Sequence, residues 1–158
     1  MSGKERLIRE SVDGIVDGVG KLIDDGIKES VVGLLLNEFP TTQSCEGHLK
    51  DALPFPWVEV HVPYPKEPNP TNQALLYCKT RNVELQQRMR LLLDGFYNTH
   101  ESIYRLGISE IGIWGAFRVQ PSKDESQIKP DELSRYQSEM VEFTDYLLVQ
   151  GRKDNPTQ

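Results

Sequence analysis

The chain has 158 residues, 37% of them apolar and 27% charged, with 24 acidic against 18 basic side chains, a net charge of −6 and a pI near 5.1. That length lets one domain bury a core without disulfide staples, and the acidic balance argues against a dedicated nucleic-acid binder, because affinity for a phosphate backbone rests on clustered Lys and Arg. No apolar run approaches the roughly 20 residues of a membrane span, the start Met1–Arg6 lacks the apolar core of a secretion signal, and Cys45 and Cys78 alone make no disulfide framework. These features describe a cytoplasmic protein whose two thiols stay free.

In chain order, Ile8, Val12, Ile15, Val16, Val19, Leu22 and Ile23 fall at helical spacing and are expected on one helix face. Gly14, Gly18 and Gly20 weaken or break that helix. Asp24-Asp25-Gly26 is a boundary with a helix N-cap. The next helix, Ile27 to about Asn37, is nearly apolar all round at its end and belongs at the centre of the core, with Pro40 stopping it. Thr41–His48 begins as a short strand, and Leu49–Pro56 is a loop. In the strand Trp57–Val62 the alternation sends Val58, Val60 and Val62 one way, and Trp57, Glu59 and His61 the other. A proline-rich connection leads to a long helix over 72–97, capped by Asn69 or Thr71. Ile111–Val119 is a strand with Trp114 and Arg118 on its polar face, and a last helix runs from about Asp131 to Val149, ended by Gly151. The fold class is α+β: a small antiparallel or mixed sheet with helices packed on one face, in one domain over 1–158 whose tail frays from about residue 152.

The chemistry concentrates in Thr41-Thr42-Gln43-Ser44-Cys45-Glu46-Gly47-His48, where a thiol, a carboxylate, a glycine and an imidazole are consecutive. Three uses of this loop compete. Cys45 can be a nucleophile with His48 or His61 as its base, which needs a lowered thiol pKa. Cys45, His48 and His61 can bind zinc with His100 or Glu59. Or the backbone N–H groups of Ser44–His48, with Gly47 supplying an unusual φ, can form a nest for a polar ligand, with Trp57 and Trp114 as a stacking surface. The nest ranks first. Cys45 and His48 are then the candidate catalytic pair, and Thr42, Ser44, Gly47, Trp57, His61, Trp114 and Arg118 the candidate ligand-binding set. The cofactor is left open. Glu46 is expected as a solvated carboxylate, Cys78 and His100 as ordinary structural residues, and Arg118 as the partner of an acid.

Helix, then Thr42-x-Ser44-Cys45-x-Gly47-His48, then a strand resembles the Ser-Ser-Cys-Ser-Gly-Arg region of the tRNA wybutosine-synthesising methyltransferase family, with His48 where that family has arginine. Leu106-Gly107-Ile108-Ser109 also looks like that family's segment before a strand. The resemblance implies a small α+β fold, a site at Thr42–His48 and methyl transfer from S-adenosylmethionine to a modified guanosine in tRNA. The Ser-Cys-Glu-Gly-His string is similar to one in small uncharacterised bacterial and phage proteins. From the residues themselves the function is small-molecule binding, nucleotide-like or S-adenosylmethionine-like. A zinc- or cysteine-dependent enzyme and a noncatalytic homodimeric module using the tryptophan face are the alternatives.

Overall fold

The computed structural model describes residues 1–17 and 19–155. The described residues form four α-helices and a four-stranded sheet: α1 (Gly3–Asp13), α2 (Asp25–Leu36), β1 (Thr41–Cys45), β2 (Trp57–Val60), α3 (Asn72–Tyr97), β3 (Leu106–Ile111), β4 (Ala116–Pro121) and α4 (Leu133–Asp154). The strands lie in the order β1-β2-β4-β3, each antiparallel to its neighbour, as an α+β fold requires. No helix among the described residues is long and apolar enough to cross a membrane.

The first departure from the sequence pattern comes early. α1 starts on Ser2, whose Oγ accepts the Glu5 N–H at 3.2 Å, but it stops at Asp13. Beyond Gly14 the chain turns into a hairpin in which Val16 pairs with Leu22. Asp17 closes it by accepting the N–H groups of Val19 at 2.9 Å and Lys21 at 2.8 Å through Oδ1, and Gly20 takes φ +80°. A short acidic side chain that satisfies nearby backbone donors competes with helix. Ile15, Val16, Val19 and Leu22, expected on a buried helix face, are therefore exposed. Gly18 lies outside the described residues.

α2 is the central helix. Ile27, Val31, Val32, Leu34 and Leu36 are buried, and Leu35, partly buried, packs against the same core as Val60. α2 packs closely on α4, where Ser30 Oγ and Thr144 Oγ1 share a hydrogen bond at 2.7 Å. Gly151, read as a helix terminator, is instead inside α4. A Cβ there would stand 2.7 Å from Leu36 Cγ, so the residue is small to let two helices meet. α4 continues to Asp154, and Arg152 is fixed by hydrogen bonds of 3.0 and 2.9 Å to Glu5. The rest of the tail expected to fray, 156–158, lies outside the described residues.

The segment read as one strand over 111–119 holds the turn of a hairpin at 112–115, between the end of β3 and the first half of β4, with Gly112 and Gly115 at φ +63° and +78°. Their left-handed backbone is what a tight reversal needs, and the period-2 pattern on both sides hid it. The sheet's inner face carries Val58, Val60, Leu106, Phe117 and Val119 into the core beneath α2, α3 and α4. On the outer face Glu59 lies opposite Arg118, whose guanidinium sits 4.0 Å over the Trp57 ring, and Thr42 Oγ1 donates to Glu59 at 3.1 Å. α3 starts on Thr71, whose hydroxyl accepts the Ala74 N–H at 3.2 Å.

Candidate functional site

The loop after β1 is built around one glycine. Gly47 is buried with φ +86°, and a Cβ there would lie 2.6 Å from the Phe55 carbonyl carbon and 2.7 Å from Leu133 Cδ1. The chain must therefore turn left-handed where it is pressed against Phe55, which with Ile128 and Tyr136 forms a small apolar cluster of its own. On the far side of that turn His48 N–H donates to the Leu53 carbonyl at 3.1 Å.

Turning there, the loop brings Cys45 and His48 against Asp24, at the entrance of α2. One ligand-type atom from each of these three side chains lies within 4.8 Å of the others. His48 Nε2 is 3.2 Å from Asp24 Oδ2, and Lys21 Nζ is 2.7 Å from Asp24 Oδ1. Glu46, expected to be solvated, ties the loop to the helix. Its Oε2 accepts the Gly26 N–H at 2.7 Å. Gln137 of α4 adds a bond to the Glu46 carbonyl at 2.9 Å.

These bonds correct two expectations. The backbone N–H groups of Gly47 and His48 are used internally, on the Cys45 Sγ at 3.4 Å and the Leu53 carbonyl at 3.1 Å, so these two are not free to cradle an anion. The Cys45 thiol is shifted the wrong way for an activated nucleophile. Burial pushes its pKa above the ordinary value and the Asp24 and Glu46 carboxylates add to that, outweighing the Gly47 N–H and Lys21. Asp24 shows the opposite balance: burial alone would raise its pKa, but hydrogen bonds from Lys21 and His48 hold it below the usual carboxylate value.

Beside the cluster lies a cleft of about 520 Å³, walled by Thr41–Ser44 on one side, by Ile15–Asp17 and Lys21–Asp24 on the other, and by Trp57 and Val31. Of the expected binding residues it gathers Thr42, Ser44 and Trp57. Gly47 shapes the loop behind it, and Arg118 is engaged with Trp57 and Glu59. Trp114 sits in the β3–β4 turn, at the opposite end of the strands from Trp57, where its carbonyl accepts from Asn82 at 2.9 Å. His61 is buried, not on the outer face. β2 ends at Val60, the His61 N–H donates to the Pro40 carbonyl, and the ring packs against Tyr64, tilted by 37° with centroids 3.9 Å apart. His61 therefore joins neither the thiol nor the tryptophan. His100 pairs with Glu139, and Cys78 is buried on α3.

Asp24 is the residue that sequence reasoning missed, having been assigned to capping alone; its side chain makes no cap bond. A length argument finds it. α2 has 12 residues and β1 has 5, spans of about 18 Å and about 17 Å at 1.5 and 3.3 Å per residue. A helix and a strand of equal length, joined by a short reversal at Pro40, return the chain to its starting level and set Cys45 beside Asp24. Compared with known proteins, the chain matches no family model, no curated protein and no solved structure.

Proposed function

We propose that this chain binds a small polar molecule in the cleft between β1 and the Val16–Leu22 hairpin, in a reducing cytoplasm that leaves Cys45 and Cys78 as free thiols. The observation that carries the reading is the lining of that cleft. Its volume falls within the roughly 300–1,000 Å³ of small-molecule sites. Its wall combines the polar residues Thr42, Gln43, Ser44 and Lys21 with the apolar Val16, Leu22 and Trp57. That mixture suits a ligand with one flat apolar part and several hydrogen-bonding groups. The Thr42–His48 resemblance to the wybutosine-synthesising methyltransferases supports S-adenosylmethionine as the first probe, with S-adenosylhomocysteine and mononucleotides beside it.

The test is a thermal-shift screen of those compounds followed by calorimetry on wild type, Thr42→Val and Lys21→Met, two substitutions at exposed side chains. A hit should bind at least about tenfold more weakly to one of the variants, the loss expected for a polar contact worth about 1.4 kcal/mol. Undiminished binding by both would place the ligand elsewhere. A homodimer is the second reading, favoured by the exposed Ile15, Val16, Val19 and Leu22 on the hairpin. Sedimentation velocity of wild type and Val19→Asp separates the two, because Val19 is not among the residues lining the cleft.

A further inference from the structure

We propose that Asp24, Cys45 and His48 form a zinc site with three protein ligands and an open fourth position. The donors are a carboxylate oxygen, a thiolate sulfur and an imidazole nitrogen. Thiolate and imidazole together select zinc over magnesium or calcium, which take oxygen ligands. Zinc–ligand bonds of about 2.0–2.3 Å in tetrahedral geometry place neighbouring donors about 3.3–3.6 Å apart. The Asp24 Oδ2 to His48 Nε2 distance is already 3.2 Å, and a carboxylate oxygen, a ring nitrogen and the Cys45 sulfur lie within 4.8 Å of one another. Small side-chain rotations close the remainder.

The scaffold around the donors is built to keep them there. The ligands come from the start of α2 and from the end of β1 and the turn after it, and Glu46, between Cys45 and His48, cross-links these two regions by accepting the Gly26 N–H. The Gly47 N–H points at the sulfur, and Lys21 occupies the Asp24 oxygen that does not face His48. Such outer partners orient metal ligands and set their affinity. Lys21 is a like charge to the metal, but it is well exposed, with its side chain 62% accessible, so its flexible stem can withdraw while Asp24 stays at 13%. Three protein ligands are the number found in catalytic zinc sites, where the fourth position takes water or substrate, rather than in closed structural ones. Because Asp24 also lines the cleft, that position is beside the small-molecule site. The metal proposal does not rest on the cleft being occupied and is tested without any organic ligand.

The full chain is produced without a histidine tag under reducing conditions, and its metal content is measured. After chelation it is titrated with cobalt(II) as a spectroscopic stand-in and with zinc against a chromophoric chelator. The expected result is one equivalent of zinc, a near-ultraviolet thiolate-to-cobalt band, and visible bands of tetrahedral intensity. Cys45→Ser should abolish the thiolate band and weaken zinc binding by at least about 100-fold, at or beyond the upper end of what changes to outer partners cost. Cys78→Ser should keep both. Circular dichroism reports whether each variant folds. Independently of any variant, one equivalent of zinc should raise the melting temperature of the chelated wild type, as a ligand of the native state must. A folded wild type that gives no thiolate band, a Cys45→Ser protein that binds as well as wild type, or a melting temperature indifferent to zinc each overturns the site.

Discussion

Two histidine–carboxylate pairs of almost equal length lie in this molecule, His48–Asp24 at 3.2 Å and His100–Glu139 at 3.1 Å. Their surroundings differ in kind. Glu139 is buried, and its second oxygen accepts the Tyr97 hydroxyl at 2.8 Å while that same hydroxyl accepts the Leu106 N–H at 2.6 Å. The His100 ring stacks on Phe96 with centroids 4.5 Å apart. This network joins α3, α4 and β3 and offers no free position. Asp24 instead shares its carboxylate with an exposed lysine, has a thiol within reach and borders a cleft. A histidine beside a carboxylate is thus uninformative alone; a closed ring of partners makes it a brace, and a mixed set of donors left open makes it a site.

The sharpest way to break that distinction is to delete both carboxylates. Glu139→Ala leaves a tyrosine hydroxyl and an imidazole without their partner in the interior, and should cost about 3–5 kcal/mol in denaturant unfolding. Asp24→Ala, at the rim, should cost less than about 2 kcal/mol while removing metal binding. Equal losses of stability would mean that Asp24 is a brace too.

Gly47 comes next. The sequence places it in a loop, but a Cβ there would meet Phe55 and Leu133 at distances no side chain tolerates. Gly47→Ala should therefore cost about 2–4 kcal/mol, from overpacking and from a φ of +86° together. His48→Ala, one side-chain hydrogen bond poorer but sterically free, should cost about 1 kcal/mol. If Gly47→Ala unfolds no more easily than His48→Ala, the turn is not the anchor of the site.

What the sequence made legible follows the same divide. Periodicity over 12 residues or more is strong enough to place α2, the whole of α3 and most of α4, and valine alternation orients β2 correctly at Val58 and Val60. Short elements escaped it. The Ile15–Ile23 apolar spacing fits a helix face as well as a hairpin, and only the Asp17 side chain decides between them. His61 continues the alternation on paper, yet its strand has ended one residue earlier. The candidate site was legible at Cys45 and His48, three positions apart in the chain, and illegible at Asp24, which comes from another element and reaches them only through tertiary packing.

A smaller effect, confined to acid, separates the other buried carboxylate from the open cluster. Hydrogen bonds from Arg152 first, and from Arg9, overcome burial and hold the Glu5 pKa at about 2 instead of 4.5. A lowered carboxylate pKa stabilises the fold above the unfolded value and releases that stability as pH falls through the folded one. The stability difference between wild type and Glu5→Gln should therefore be constant above about pH 4.5, shrink between about 4.5 and about 2, and vanish below, as read from denaturation at each pH. A difference that stays constant down to pH 2 would show that the arginines hold Glu5 by shape alone.

The last and smallest expected difference is between the two thiols. Cys78 is 3% exposed on α3, with its sulfur 3.9 Å from the Pro63 carbonyl oxygen, and Cys45 is only half-buried at the end of β1. A thiol reagent must reach the sulfur and must find it as thiolate. Exposure favours Cys45, but the burial that raises its pKa slows it, so its labelling should fall between that of a free thiol and that of Cys78. Timed labelling of the native chelated protein, with the modified residue mapped by mass spectrometry, measures this order. Adding one equivalent of zinc should then slow Cys45 and leave Cys78 as it was, because the metal takes the same electron pair the reagent needs. Faster labelling of Cys78 would mean that the cluster around Asp24 is closed to reagents its own size. Cys45 would then share the sheltered character of the Glu139 network, and the contrast between the two pairs would rest on composition alone.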